Sequence, residues 1–173
     1  YYKKDYPEWS DRGDGPGAPV AIHMPNSAVI GTGKRDGSKI RLPNGNYLEE
    51  TASYYVMIET KTGGYTPALI TMKSTQLNVS KKWNSMMKTI QIPDGKGGFA
   101  IPPMHGVVYN LASTLQKNDK GSWYGWVVTQ DRILGQADKA LYLSAKDFSG
   151  NVSKGTVQTK ADVEEKASEA TPY

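Results

Sequence analysis

The sequence predicts a mostly β fold with one or two helices, and the order of its elements resembles the five-stranded barrel of an OB-fold. Short runs rich in β-branched and aromatic residues, separated by Gly, Pro and Asp, indicate several strands. One segment in the middle instead repeats its apolar residues at helical spacing. A strand, paired strands, a helix and two more strands is the order of an OB-fold, but it also suits other small barrels or an open sheet packed on helices.

The first half of the chain predicts four strands and two polar loops. Strands are expected at 1–9 and 18–24, with a turn-rich stretch between them. The Gly-rich segment 31–46 is predicted to be the most basic loop of the chain. Strands at 47–60 and 65–75 follow, and the paired glycines of the intervening Lys-Thr-Gly-Gly predict a tight hairpin.

The second half predicts a helix, two strands and a second, shorter helix. Residues 74–90 place five apolar side chains on one helical face, with Ser74 or Thr75 as the expected cap. The five are Val79, Trp83, Met86, Met87 and Ile90. Strands are predicted at 105–116 and 122–132, and the shorter helix at 136–150.

Length and charge predict one domain over 1–154 and a flexible, mildly acidic tail over 155–173. The chain has 173 residues, a net charge of +4 and no cysteine, which fits one domain in a reducing compartment. The body before the tail carries the excess of basic residues, which favours a polyanionic partner. Residue 1 is not Met, so we expect native residues to precede it. No apolar run is long enough for a membrane helix, and no membrane partner is expected.

Three aromatic residues crowd one predicted strand, and they are the main candidates for a binding site. On a strand, Trp123 points to one side while Tyr124 and Trp126 point to the other, so one face stays aromatic. Either both faces are covered by other elements, or the exposed rings and nearby cations form a platform for single-stranded bases. The cations assigned to such a channel are Lys34, Arg35, Lys73, Lys81, Lys82, Lys120 and Arg132.

No catalytic or metal-binding pattern accompanies these residues. His23 and His105 are far apart in the sequence and have no carboxylate at ligand spacing. The glycine-rich segments match neither a phosphate-binding loop nor a dinucleotide fingerprint. We therefore expect a binding protein that is not an enzyme and has no cofactor and no metal.

Four segments resemble a family of tailed-phage proteins that are encoded near replication genes and labelled hypothetical or single-stranded DNA-binding. They are "YYKKDYPEW", "LPNGNYLEETASYYVMI", "PALITMKSTQLNVSKKWNSMM" and "NDKGSWYGWVV", so the resemblance spans most of residues 1–150. It implies an OB-type fold, no catalysis, and protection of unwound DNA in the cytoplasm of the infected bacterial host. The tail is similar in kind to the acidic ends through which such proteins recruit phage replication proteins. Its candidate contacts are Glu164, Glu165, Glu169 and Tyr173.

Two functions remain open from the sequence. The first is a phage single-stranded DNA-binding protein, which could form a homo-oligomer and would coat DNA in replication and recombination by stacking and phosphate neutralisation. The alternative is a virion structural protein, either a capsid decoration or a tail-associated component, whose aromatic residues are buried against neighbouring copies.

Overall fold

The computed structural model describes residues 1–10, 18–119 and 121–157, and the chain divides into two compact units. The N-terminal unit contains Tyr2–Ser74, and the C-terminal unit contains Thr75–Lys154. Each unit has its own sheet and helices, and each is described separately below.

The N-terminal unit is built on one antiparallel sheet of seven strands, with the order β3-β4-β5-β1-β6-β7 and with β2 beside β1. Its elements are β1 (Tyr2–Trp9), β2 (Ala21–His23), α1 (Ala28–Thr32), β3 (Lys34–Asp36), β4 (Lys39–Arg41), β5 (Tyr47–Glu49), β6 (Thr51–Glu59) and β7 (Tyr65–Lys73). The first half of β1 pairs with β6, and its second half pairs with β5 and β2. The strands expected at 1–9 and 18–24 are confirmed.

The core of this unit lies on one face of its sheet. Four buried apolar side chains form a cluster there, and Val29 and Ile30 of α1 pack against it. The cluster consists of Tyr6, Ile40, Leu42 and Leu48. The short helix α1 therefore covers apolar surface that β4 and β5 could not bury by themselves.

The prediction of a basic loop at 31–46 is wrong, because this segment contains two strands. β3 and β4 form a small hairpin that turns at Gly37, which has a φ of 61°. Ile40 on β4 and Leu42 directly after it are both buried, so two apolar residues within a polar segment fix the strand on the core. α1 was not predicted; its first turn is capped by the Ser27 hydroxyl, which accepts from Val29 N at 3.4 Å.

The hairpin predicted from the paired glycines is confirmed. β6 and β7 pair antiparallel along their whole length, and the pairing ends with Glu59 opposite Tyr65. Gly63 has a φ of 83°, a conformation that glycine adopts without steric cost. The turn is closed by Thr60 N, which donates to Gly64 O at 2.8 Å.

The C-terminal unit contains two longer helices and a long hairpin. Its elements are α2 (Leu77–Thr89), β8 (Ile92–Pro93), β9 (Phe99–Ala100), β10 (Val107–Asn118), β11 (Gly121–Ile133) and α3 (Lys139–Ser153). β8 pairs with β9, and β10 pairs with β11 in a second two-stranded sheet. Both predicted strands of the long hairpin and the second helix are confirmed, but α3, with 15 residues, is longer than α2, with 13, and not shorter.

The helical periodicity of residues 74–90 is confirmed, but the expected cap is wrong. In α2, Trp83 and Met87 are buried, and Ile90 is buried directly after the helix. Ser74 and Thr75 belong to a preceding 3-10 turn, and the residue at the N-cap is Gln76, which makes no side-chain capping bond. The 3-10 turn therefore begins the helix in place of a hydroxyl cap.

The fold is mostly β, but the OB-like barrel is not confirmed. A barrel requires its last strand to pair with an earlier one and so close the sheet. In the described part of the chain, β10 and β11 pair only with each other, and no sheet closes. Three α-helices are present there, compared with the one or two that were predicted. The single domain over 1–154 stays a prediction, and of the predicted tail at 155–173, residues 158–173 lie outside the described residues.

None of the described helices is long and apolar enough to cross a membrane.

A buried carboxylate ties the turn between β4 and β5 to β1. Glu8 accepts hydrogen bonds from the side-chain amides of Asn46 at 2.6 Å and Asn44 at 3.2 Å, and its other oxygen lies 2.7 Å from His23 Nε2. The Asn46 amide, then His23, stabilise the charged form, so the pKa of Glu8 lies below its ordinary value of 4.5. The ionised carboxylate therefore contributes to the stability of this unit.

We expect Glu8→Gln to lower the free energy of unfolding at neutral pH by about 1–2 kcal/mol, since charge-assisted hydrogen bonds are replaced by neutral ones. A lowered pKa in the folded state gives stability that is present above pH 4.5 and is lost as the pH falls through the folded value. The difference between the wild type and the variant should therefore shrink below pH 4.5 in urea titrations. A constant difference down to pH 3 would show that the charge of Glu8 does not contribute.

Candidate nucleic-acid interface

The register of the long hairpin decides which side chains accompany the clustered aromatic residues. Tyr124 lies opposite Leu115, and Trp126 lies opposite Ser113. Lys117, opposite Ser122, follows Leu115 by two positions and therefore shares its face. Leu115, Lys117, Tyr124 and Trp126 thus form one continuous surface near the turn, which we call the aromatic strip.

The aromatic strip is exposed near the turn and covered at its other end. Tyr124 is 72% exposed, Leu115 60% and Trp126 37%. Val128, the next residue on the same face, is buried. Helix α2 contacts β11, so the helix that covers the inner part of the hairpin leaves its outer part open.

The covered end of this face is fixed by an aromatic contact. Trp83 of α2 meets Tyr109 of β10 edge to face, with ring centroids 5.6 Å apart. Gln76 also reaches the hairpin, where its Oε1 accepts from Trp126 N at 3.2 Å. These contacts hold the backbone that carries the strip against α2.

Trp123 lies on the opposite face from the strip. It is half-buried, and its indole nitrogen is buried with no hydrogen-bond partner among the described residues. Its ring is therefore less exposed than those of Tyr124 and Trp126. Of the three predicted aromatic residues, the structure therefore brings only Tyr124 and Trp126 together on an accessible surface.

A second surface with aromatic and basic side chains lies on the N-terminal unit. Cross-strand pairing places Lys34, Arg41, Tyr47 and Trp9 in one row across four strands. The neighbouring row on the same face consists of Asp36, Lys39 and Glu49. Lys73, from β7, reaches this surface through Glu49 and Trp9. We call these eight residues the cationic face.

On the cationic face, positive groups lie over the aromatic rings. Lys39 Nζ is 3.7 Å from the centroid of the Tyr47 ring, and Arg41 Cζ is 5.6 Å from it. Lys73 Nζ is 5.9 Å from the Trp9 ring. The rings therefore support cations, by the attraction of a positive charge to the electron-rich face of a ring.

A comparison with protein families supports the phage origin that the sequence suggests. A family model described as Pam3 phage gp34-like protein matches residues 1–158. The chain belongs to this family. Searches among curated proteins and among solved structures find no match. The Pam3 phage gp34-like family thus confirms a phage protein, and its description names no ligand or activity.

The remaining predicted cations occupy different surroundings. Lys81 and Lys82 are exposed on α2, in the same unit as the strip. Arg132 has its charge compensated by Asp131 at 3.0 Å and by Asp138 at 3.8 Å. Of the others, Lys34 and Lys73 lie on the cationic face, and Arg35 is exposed on the opposite side of β3.

Some predicted site residues lie outside the described part of the chain, and the sequence analysis missed some residues that belong to the two surfaces. Lys120 and the tail residues Glu164, Glu165, Glu169 and Tyr173 are not among the described residues. Leu115, Trp9 and Tyr47 were not predicted as site residues, since only strand register reveals their neighbours. Within the described residues, no group of three metal-ligating side chains is found.

Proposed function

We propose that this phage protein binds single-stranded DNA through the aromatic strip and so coats and protects unwound DNA during phage replication and recombination. The observation that carries the proposal is the exposure of Tyr124. Its large ring is 72% exposed and lies beside Trp126 and Lys117. Stacking on an open ring and attraction of phosphate to a nearby lysine are the two contacts that hold a single strand without sequence preference.

The proposal also covers the cellular location and the partners of the protein. Single-stranded phage DNA is present in the cytoplasm of the infected bacterium, which is the expected location. The acidic tail is proposed to contact phage replication proteins, and binding along DNA is compatible with a homo-oligomer. An OB-like barrel would suit the same function, but stacking on the hairpin does not require a closed barrel.

The first test is titration of the full chain with an unstructured oligothymidylate, followed by tryptophan fluorescence. We expect the single strand to quench the fluorescence, and the quenching to weaken as the salt concentration rises. A duplex of equal length should quench much less. Trp126→Phe should remove most of the quenching, since Trp126 is the partly exposed indole of the strip. An unchanged spectrum on adding the single strand would contradict the proposal.

A virion structural role is the second candidate, and it is favoured by apolar exposure that DNA binding does not need. Leu115 is 60% exposed and Phe99 is 71% exposed. Exposed apolar side chains of this kind are typical of surfaces that a protein partner covers. Sedimentation velocity distinguishes the two functions, because assembly into large particles without affinity for single strands would favour the virion role.

A further inference from the structure

We propose that the cationic face of the N-terminal unit is a second contact surface for single-stranded DNA, and that it binds the phosphodiester backbone. The inference rests on the proposed function, in which the aromatic strip of the other unit stacks the bases. It assigns binding to Lys34 and Lys39, and a supporting role to Trp9 and Tyr47.

The charge of the cationic face favours a polyanion. Four basic residues share it with two carboxylates, and two of the four are compensated: Arg41 by Asp36 at 3.4 Å, and Lys73 by Glu49 at 3.1 Å. Lys34 and Lys39 lie within ion-pairing distance of no carboxylate in the described part of the chain. An uncompensated pair of lysines on one surface attracts phosphate and releases its counterions when phosphate binds.

The aromatic rings of this face are suited to backbone contact and not to base stacking. Lys39 lies over the Tyr47 ring at 3.7 Å, so the ring face that a base would need carries an ammonium group. The contact also restricts the lysine, which therefore loses less conformational freedom when it binds a phosphate. The surface consequently recognises the charged backbone, which is common to all sequences.

The length of the row suits a strand of DNA better than a single ion. Lys34 stands at one end on β3, and Trp9, with Lys73 over its ring, stands at the other end on β1. Adjacent strands are about 4.8 Å apart, so a row across four strands spans about 14 Å. Successive phosphates of a stacked strand advance by about 3.4 Å, and the row can therefore contact several of them.

The salt dependence of the affinity distinguishes contact with the DNA backbone from base stacking. Binding of a labelled oligothymidylate to the full chain is measured by fluorescence anisotropy at several salt concentrations. For the double variant Lys34→Ala/Lys39→Ala, the slope of log K against log salt should become shallower by about 1.4, or about 0.7 per lost phosphate contact. The matched control is Lys61→Ala/Lys96→Ala, which removes the same charge from exposed positions elsewhere and should keep the wild-type slope.

The outcomes distinguish failure of this inference from failure of the proposed function. If the Lys34/Lys39 variant and the control both keep the wild-type slope while the wild type binds, the cationic face is not a contact surface, and the proposed function stands. An equal decrease of slope in both double variants would mean that only net charge matters, and this also overturns the inference. A wild type that binds no single strand even at low salt overturns both proposals. Circular dichroism checks that the variants are folded.

Discussion

Leu48→Ala is expected to lower the free energy of unfolding of the N-terminal unit by about 2–5 kcal/mol, the usual range for removing a buried leucine side chain. Leu48 has no exposed surface and lies in the cluster of Tyr6, Ile40 and Leu42. Its removal leaves a cavity that residues fixed on neighbouring strands cannot fill without moving the sheet. Urea unfolding, followed by circular dichroism, measures the loss.

The control for this substitution is Leu69→Ala on β7 of the same unit. Leu69 is partly exposed, so removing its side chain takes less apolar surface out of contact and should cost clearly less. Both substitutions remove a leucine side chain from a strand of the same sheet, but Leu48 is fully buried on the interior strand β5, whereas Leu69 is exposed on the edge strand β7. An equal loss in the two variants would contradict the placement of the core around Leu48.

The elements that the sequence predicted correctly are those that local patterns determine. The spacing of Trp83 and Met87 is a helical repeat, and α2 buries both. The glycines before Tyr65 produce a turn whatever the rest of the chain does, and the β6–β7 hairpin follows. Such signals need only neighbouring residues, and for that reason they are visible without a structure.

The elements that were missed depend on contacts between distant parts of the chain. The polar segment 31–46 forms strands because Ile40 and Leu42 complete a core with Tyr6 and Leu48. No local pattern in that segment outweighs its glycines and charges. Closure of a barrel is also a long-range property, because it depends on which strands pair, and the alternation within a strand does not specify its partner.

In the candidate site too, the sequence predicted the local features and missed those that depend on contacts between distant residues. Alternation along β11 correctly predicted that Tyr124 and Trp126 share a face, while Trp123 lies on the other. Which face is open depends on where α2 packs, and the sequence does not specify that. The pairing of Tyr47 with Trp9 joins two distant segments, so the cationic face became visible only with the register of β1 and β5.

Replacing Tyr124 by alanine is expected to weaken the binding of oligothymidylate by about 5- to 150-fold. This range corresponds to about 1–3 kcal/mol, the usual contribution of one aromatic ring that stacks on a base. Because the ring is mostly exposed, the free energy of unfolding should change by only about 0.5 kcal/mol. The salt dependence should stay that of the wild type, since no charge is lost. Fluorescence anisotropy at several salt concentrations measures both quantities.

Phe99→Ala is the matched control, because Phe99 lies in the same unit and is as exposed as Tyr124 but is on β9, outside the strip. If exposed rings in general improve affinity by non-specific contact, both variants should lose a similar amount. If the strip binds the bases, only Tyr124→Ala should lose affinity, and Tyr124→Phe should retain it, since stacking needs the ring and not the hydroxyl. Wild-type affinity in Tyr124→Ala would remove the strip from the binding surface, and the exposed Leu115 beside it would then favour contact with a protein partner.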